Sequence, residues 1–192
     1  VFTRMGLPES ARSDAARLYW AGFTRKLAPV VGGGRTVGVL ADALVPAQVM
    51  GAWNGDRLVG IACLQDGPEP PLRLDRTGFR REFGILRGGW RRLLSTFVTS
   101  RPPGADELLL DVLAVSPEAR GLGVGTTLLS AVADEARTRG RHRVKLEVVD
   151  TNPRAKALYE RFGFRTVDTV RTPYLRRLLG FGAVDTMRYD VP

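Results

Sequence analysis

Two rhythms of apolar spacing divide the chain. From Leu108 to Val115 it reads L-L-L-D-V-L-A-V, an almost unbroken apolar run of strand length that ends at Ser116-Pro117-Glu118. Further on, Leu128, Leu129, Val132 and Ala136 recur at helical spacing, with Asp134, Glu135, Arg137 and Arg139 on the opposite face, which predicts an amphipathic helix. Val144 to Val149, V-K-L-E-V-V, returns to a strand pattern. A helix from Pro153 to Arg161 should follow, stopped at Gly163 and capped by Asn152 or Thr151, with proline suited to its first turn. Upstream, Phe2 to Met5 predicts a strand. Glu9 to Leu27 predicts a helix with Ala15, Leu18, Tyr19, Gly22 and Phe23 on one face, and Arg35 to Leu40 predicts a strand or loop. Ala47 to Trp53 and Arg57 to Gln65 are two strands joined by Asn54-Gly55-Asp56, a hairpin signal. Arg165 to Arg171 and Ala183 to Tyr189 should close the sheet. The connection between them carries Tyr174, Arg176 and Arg177, which border either a substrate site or nothing more than a hairpin loop.

Composition bounds this picture. A chain of 192 residues with 44% apolar content can bury one proper core, so one domain is expected. No apolar run approaches the roughly 18 to 20 residues of a membrane span. The first ten residues lack the basic-then-apolar layout of a secretory signal. Cys63 stands alone and His142 is the only histidine, so neither an intrachain disulfide nor a zinc site is expected. These features point to a cytoplasmic protein without metal. The net charge of +9, nearly all arginine, changes the picture slightly. It fits an anionic ligand or partner, but better a solvated surface that reflects an arginine-rich, lysine-poor composition, and no helix-turn-helix or RNA-binding pattern favours nucleic acid.

The candidate chemistry begins at Arg120 to Thr126, R-G-L-G-V-G-T. It lies between a predicted strand and a predicted helix, where first-turn N–H groups lack helical partners and the helix dipole adds positive charge. Gly121, Gly123 and Gly125 would let that backbone approach a pyrophosphate. A dinucleotide fold would need G-x-G-x-x-G with an acidic residue ending the next strand, and a P-loop would need G-K-[ST]. Neither fits.

The pattern R-x-x-G-x-G of Arg120 to Gly125 resembles the coenzyme-A pyrophosphate loop of the GNAT superfamily of acyl-CoA-dependent N-acyltransferases. The string N-P-R-A-K-A-L-Y-E-R-F-G-F, Asn152 to Phe164, resembles the second block of the same superfamily. The close likeness covers Leu108 to Arg165. It implies an α/β fold with a mixed central sheet of six to seven strands flanked by helices, and acetyl-CoA as co-substrate. It also implies that Leu113, Ala114 and Val115 hold the pantetheine arm as if it were an added strand, with the Val115 N–H facing the thioester oxygen. Leu122, Val124 and Thr126 belong to the pyrophosphate loop with the glycines and Arg120. Asn152 binds the arm or orders water.

The reaction so implied joins an acetyl group to a primary amine of a small molecule or a protein N-terminus, by direct attack in a ternary complex. Tyr159, two helical turns beyond Asn152, is the candidate general acid and a further cofactor contact. Glu147, in L-E-V-x-x-x-N, matches the glutamate base of the ribosomal-protein and N-terminal-amine branch. Asp111 is the other carboxylate candidate, set by strand alternation on the side of Leu113 and Val115. Ordered water is the remaining alternative. A non-catalytic acyl-CoA sensor or interaction module is the rival function. Residues 66–107 form an insertion ahead of the cofactor strand, with Phe79, Phe83, Leu86, Trp90, Leu93 and Phe97 as an apolar stripe among arginines. It fits a lid, a homodimer contact, a membrane-surface helix or a plainly packed helix.

Overall fold

The computed structural model describes residues 1–27, 35–73, 102–173, 176 and 180–192. The strands are β1 (Phe2–Met5), β2 (Val49–Asn54), β3 (Arg57–Gln65), β4 (Glu107–Val115), β5 (Arg143–Val149), β6 (Arg165–Arg171) and β7 (Ala183–Asp190), the central β3, β4 and β5 built from aliphatic runs and the edge strand β6 largely polar. Between them lie the helices α1 (Arg12–Leu27), α2 (Arg35–Ala43), α3 (Val124–Thr138) and α4 (Pro153–Phe162). The strands form one mixed sheet in the order β1-β2-β3-β4-β5-β7-β6. Only β4 and β5 are parallel neighbours, joined by the α3 crossover; every other pairing is antiparallel. The expected α/β architecture is present.

Each face of the sheet has its own core. Leu108, Leu110, Val144, Leu146 and Met187 meet Leu128, Leu129 and Val132 of α3 and Tyr159 of α4. On the other face Ile61, Cys63, Val112 and Ala114 meet Ala15 and Tyr19 of α1 and Leu40 and Leu44 from the α2 side. α1 lies close against β4, because a Cβ at Gly22 would stand 3.2 Å from that of Ala114.

The β2–β3 hairpin turns through Gly55 and Asp56. Gly55 has φ 58°, the positive value that a type II′ turn asks of glycine at its first central position. α4 starts on Asn152, whose side-chain oxygen accepts the Ala155 N–H at 3.4 Å, and ends on Gly163 at φ 114°. The first helix begins with a short 3-10 turn, Glu9–Ala11.

One element differs from expectation. Arg35–Ala43 is helix α2, neither strand nor loop. Val37, Leu40, Ala41 and Leu44 recur at i, i+3, i+4 and i+7 and turn toward α1, so tertiary burial outweighs the low helix propensity of valine and glycine. The aromatic and arginine-rich stripe expected between residues 79 and 97 lies outside the described residues. At its flanks, Asp66 receives both Arg139 (3.5 Å) and Arg141 (2.9 Å), tying the end of β3 to the end of α3.

Candidate active site

The parallel ladder between β4 and β5 runs from Glu107↔Arg143 to Leu110↔Leu146 and goes no further. β3 stays paired with β4 as far as Gly60↔Val115. The far half of β4 therefore has a strand on one edge only, and the sheet forks between β4 and β5. The Ser116 N–H bonds to the Val59 carbonyl at 2.9 Å. Alternation along the strand then turns the N–H and C=O of Leu113 and Val115 away from β3 and toward the fork, and those of Ala114 toward β3. Of the three residues expected at the cofactor edge, Leu113 and Val115 offer main-chain groups; Ala114 packs beside α1.

Beyond the fork the chain turns through Pro117–Ala119 into the glycine loop. Gly121 and Gly123 both have φ 79°, a conformation that L-residues rarely adopt. No described acceptor takes the N–H groups from Gly121 to Thr126. Gly123 is the N-cap of α3 and supplies no side-chain cap. A row of unpaired donors at a helix N-terminus is a polar cradle for an anion. Arg120 folds back so that its Nε donates to the Val115 carbonyl at 3.4 Å, linking loop and strand. Leu122 is 73% exposed at the rim.

Gly125 also lies close to the neighbouring helix. A Cβ there would stand 2.9 Å from Leu158 Cδ2 of α4, so an added side chain would have to turn that methyl aside. Gly121 and Gly123 have open space where a Cβ would be, and it is their backbone conformation that requires glycine.

Tyr159 lies on the α3 face, 7% exposed, with its ring 5.8 Å from that of Phe164. Burial raises its pKa to about 12. No described group hydrogen-bonds its hydroxyl. Asn152 spends its carbonyl oxygen on the α4 cap, leaving its amide N–H groups for other partners.

Glu147 lies on the opposite face. Val144, Leu146 and Val148 point into the α3 core, so alternation turns Lys145 and Glu147 the other way. Asp111 also lies on that face, against expectation. The register steps from Cys63↔Val112 to Leu64↔Leu110, leaving Asp111 as the extra residue of a β-bulge. The bulge interrupts alternation, so Asp111 and Val112 both face α1, while Leu113 and Val115 pack toward α3. The Asp111 carboxylate accepts a hydrogen bond from the Tyr19 hydroxyl. Burial foremost, then the Asp111 charge, pushes the Tyr19 phenol well above its ordinary range, and the same causes raise the buried Cys63 thiol.

Tyr19, the partner of Asp111, is a candidate site residue that sequence reasoning missed. It was legible only as part of the apolar face of α1. Of the β6–β7 connection only Arg176 among the three expected contacts is described; its Cδ lies within 3.6 Å of where a Gly182 Cβ would sit, near Asp150, whose carboxylate accepts the Gly182 N–H at 3.2 Å. Tyr174 and Arg177 lie outside the described residues. Among the described residues, no three His, Cys, Asp or Glu side chains group to hold a metal ion, and no helix is long and apolar enough to cross a membrane.

A mixed sheet that forks after a parallel strand pair, with an unpaired glycine loop leading into the crossover helix, defines an acyl-CoA-type acetyltransferase fold. The model of the acetyltransferase (GNAT) family matches residues 41–164, and the chain belongs to that family. It is 48% identical over 56 residues to a mycothiol acetyltransferase of Beutenbergia cavernae, covering 29% of this chain and 19% of that protein. It is 42% identical over 69 residues to a [ribosomal protein bS18]-alanine N-acetyltransferase of Salmonella typhimurium, covering 36% and 46%. The matched segments thus span less than half the length of these relatives. Among solved structures, an N-acetyltransferase from Staphylococcus aureus Mu50 aligns with TM-score 0.69 at 15% identity over 98% of this chain and 100% of that one. The ribosomal-protein-S18-alanine N-acetyltransferase from Escherichia coli aligns with TM-score 0.58 at 19% identity over 99% and 94%. At such identities these structures establish the fold alone.

Proposed function

We propose that the protein moves an acetyl group from acetyl-CoA to a primary amine, of a small molecule or of a protein N-terminus, by direct attack in a ternary complex. The observation that carries this reading is the fork: a strand edge facing no neighbouring strand leads straight into a loop whose N–H donors have no acceptor among the described residues. The chemistry of that donor set suits a diphosphate joined to an amide-bearing arm. The N–H groups from Gly121 to Thr126, with Arg120 beside them, would hold the diphosphate. The main-chain groups of Leu113 and Val115 would pair with the arm as an added strand does. The Val115 N–H then faces the charge that develops on the thioester oxygen.

Acid and base lie on opposite faces of the sheet in this reading, with the reacting bond threaded between them. Tyr159 serves the sulfur on the α3 face. With its pKa at about 12 it keeps its proton at neutral pH, the form that an acid requires. Against a free thiol near 8.5, full transfer would run uphill by about 3.5 pK units, roughly 5 kcal/mol. Tyr159 therefore acts first as a hydrogen-bond donor to the departing sulfur and gives up its proton late. Glu147, across the sheet, accepts the proton that the amine loses, directly or through water. Relatives named for mycothiol and for the alanine of ribosomal protein bS18 keep both acceptor classes in play.

The test combines two measurements on the whole chain. Acetyl-CoA should raise the melting temperature, and an amine panel should release free CoA with matching acetylated product. Binding without turnover on any amine would make the protein a cofactor sensor instead. No binding would end the reading.

A further inference from the structure

The forked sheet places two carboxylates at its apex. Asp111 and Glu147 each follow the last paired rung, Leu110↔Leu146, on their own strand. Both are turned to the α1 face, Glu147 by alternation and Asp111 by the bulge. Bulges recur beside active sites because the extra residue re-aims a side chain. Here the re-aimed group meets a specific partner: the Tyr19 hydroxyl donates to the Asp111 carboxylate. Tyr19 is itself buried, so its ring is clamped between α1 and β4, and Gly22 one helical turn on lets α1 sit that close. Asp111 is only half-buried, so the oriented carboxylate is not sealed in the core.

An alkylamine reaches the protein as an ammonium ion. A reference carboxyl group near 4.3 and an alkylammonium near 10.4 lie about six pK units apart, so capture of the cation by a carboxylate is far easier than removal of its proton. Two carboxylates at one apex can divide these tasks.

Resting on the acetyltransferase reading above, we infer that Asp111 is the acceptor-specificity residue, that its carboxylate binds the incoming ammonium on the α1 face, and that Tyr19 is the positioning residue that aims it. The acceptor is then a cationic amine, and Glu147 or water takes the proton once the ammonium is held. Asp111 contributes to capture and Glu147 to turnover.

The test is steady-state kinetics with the full chain and three probes: phenethylamine, spermidine and a hexapeptide beginning with a free alanine. Wild type, Tyr19→Phe, Asp111→Asn and the double variant are compared, with acetyl-CoA affinity measured for each by calorimetry. Asp111→Asn should raise KM for the acetylated probe by about 10-fold or more, the scale of a lost charge-assisted hydrogen bond, and leave kcat within about 3-fold. Tyr19→Phe should raise KM less. The double variant should be no worse than Asp111→Asn, because Tyr19 acts through Asp111. Acetyl-CoA affinity should not move in any of them.

Unchanged KM, a fall in kcat alone, or additive effects would overturn the inference. So would acetyl-CoA binding with none of the three probes acetylated, since all three present the required cation. Failure of the wild type to bind acetyl-CoA would instead remove the reading beneath it. If Asp111→Asn does not fold, Tyr19→Phe, which deletes one hydroxyl, carries the test.

Discussion

In the proposed reading, the two sides of the fork recognise ligands by different means. The loop side, from Val115 to α3, would work through its main chain: donors from Gly121 to Thr126 have no acceptor among the described residues, and Gly121 and Gly123 both sit at φ 79°. The α1 side works through side chains: Asp111, set by a bulge, Tyr19 reaching it from α1, and Glu147 on β5. Main-chain recognition depends on backbone conformation and tolerates varied side chains. Side-chain recognition depends on particular atoms and can differ between proteins that share the loop. One cofactor and many acceptors would call for this division.

The largest effects should come from the groups assigned to chemistry. Tyr159→Phe and Glu147→Gln are each expected to lower kcat by about 100-fold or more, the usual scale of positioned acid and base groups. Acetyl-CoA affinity, read by calorimetry, should stay within about 3-fold in both. Unaltered turnover in either variant would remove that residue from its role.

Gly123→Val breaks the comparison on the loop side. A β-branched residue forced into the left-handed region costs about 1–2 kcal/mol, or the helix start shifts to relieve it. Acetyl-CoA affinity should fall about 10-fold, while melting temperature falls modestly. Gly125→Ala separates packing from binding: its Cβ would lie 2.9 Å from Leu158 Cδ2. That atom is the free end of a flexible side chain, and alanine favours the helix by about 1 kcal/mol over glycine, so the loss in melting temperature should be small and acetyl-CoA affinity should hold. Combining it with Leu158→Val should recover part of the loss.

The two regions also differ in how far sequence discloses them. The glycine loop, the α4 cap at Asn152 and the stop at Gly163 are local features, specified by residues a few positions apart, so spacing alone exposed them. Arg165–Arg171 was likewise legible from its own residues. Asp111 was not. Its direction depends on a register shift against Cys63 and Leu64 of β3, far away in sequence. Its partner Tyr19 lies further still, and strand alternation without the bulge points Asp111 to the wrong face. The Leu158 contact of Gly125 was hidden for a similar reason, because Leu158 arrives from another helix. Helix α2 was hidden because its face is completed by α1.

Titration supplies a smaller effect. The Tyr159 phenol is held at about 12 in the folded protein against 10.0 for the free group. The folded state thus keeps a proton that the unfolded chain loses, so this contribution is complete below pH 10 and declines as pH rises through 10 toward 12. Tyr159→Phe should flatten the alkaline fall of melting temperature over that window. Asp185 works in the opposite direction. Hydrogen bonds from Lys156 and Thr169 lower its pKa, so its contribution is present above the ordinary carboxyl range and fades as pH falls through the lowered value. Asp185→Asn should soften the acid limb and leave neutral turnover alone. The smallest effect belongs to the exposed loop side chain: Leu122→Ser should change acetyl-CoA affinity by less than about 2-fold. A larger change would mean that the loop also recognises through side chains.

The most direct test is a crystal structure of the chain with coenzyme A. The account predicts diphosphate oxygens within about 2.7–3.2 Å of the main-chain nitrogens between Gly121 and Thr126, and the arm lying along Leu113 and Val115 in the fork. A diphosphate seated elsewhere, or a fork closed by renewed β4–β5 pairing with the ligand outside it, would contradict the account.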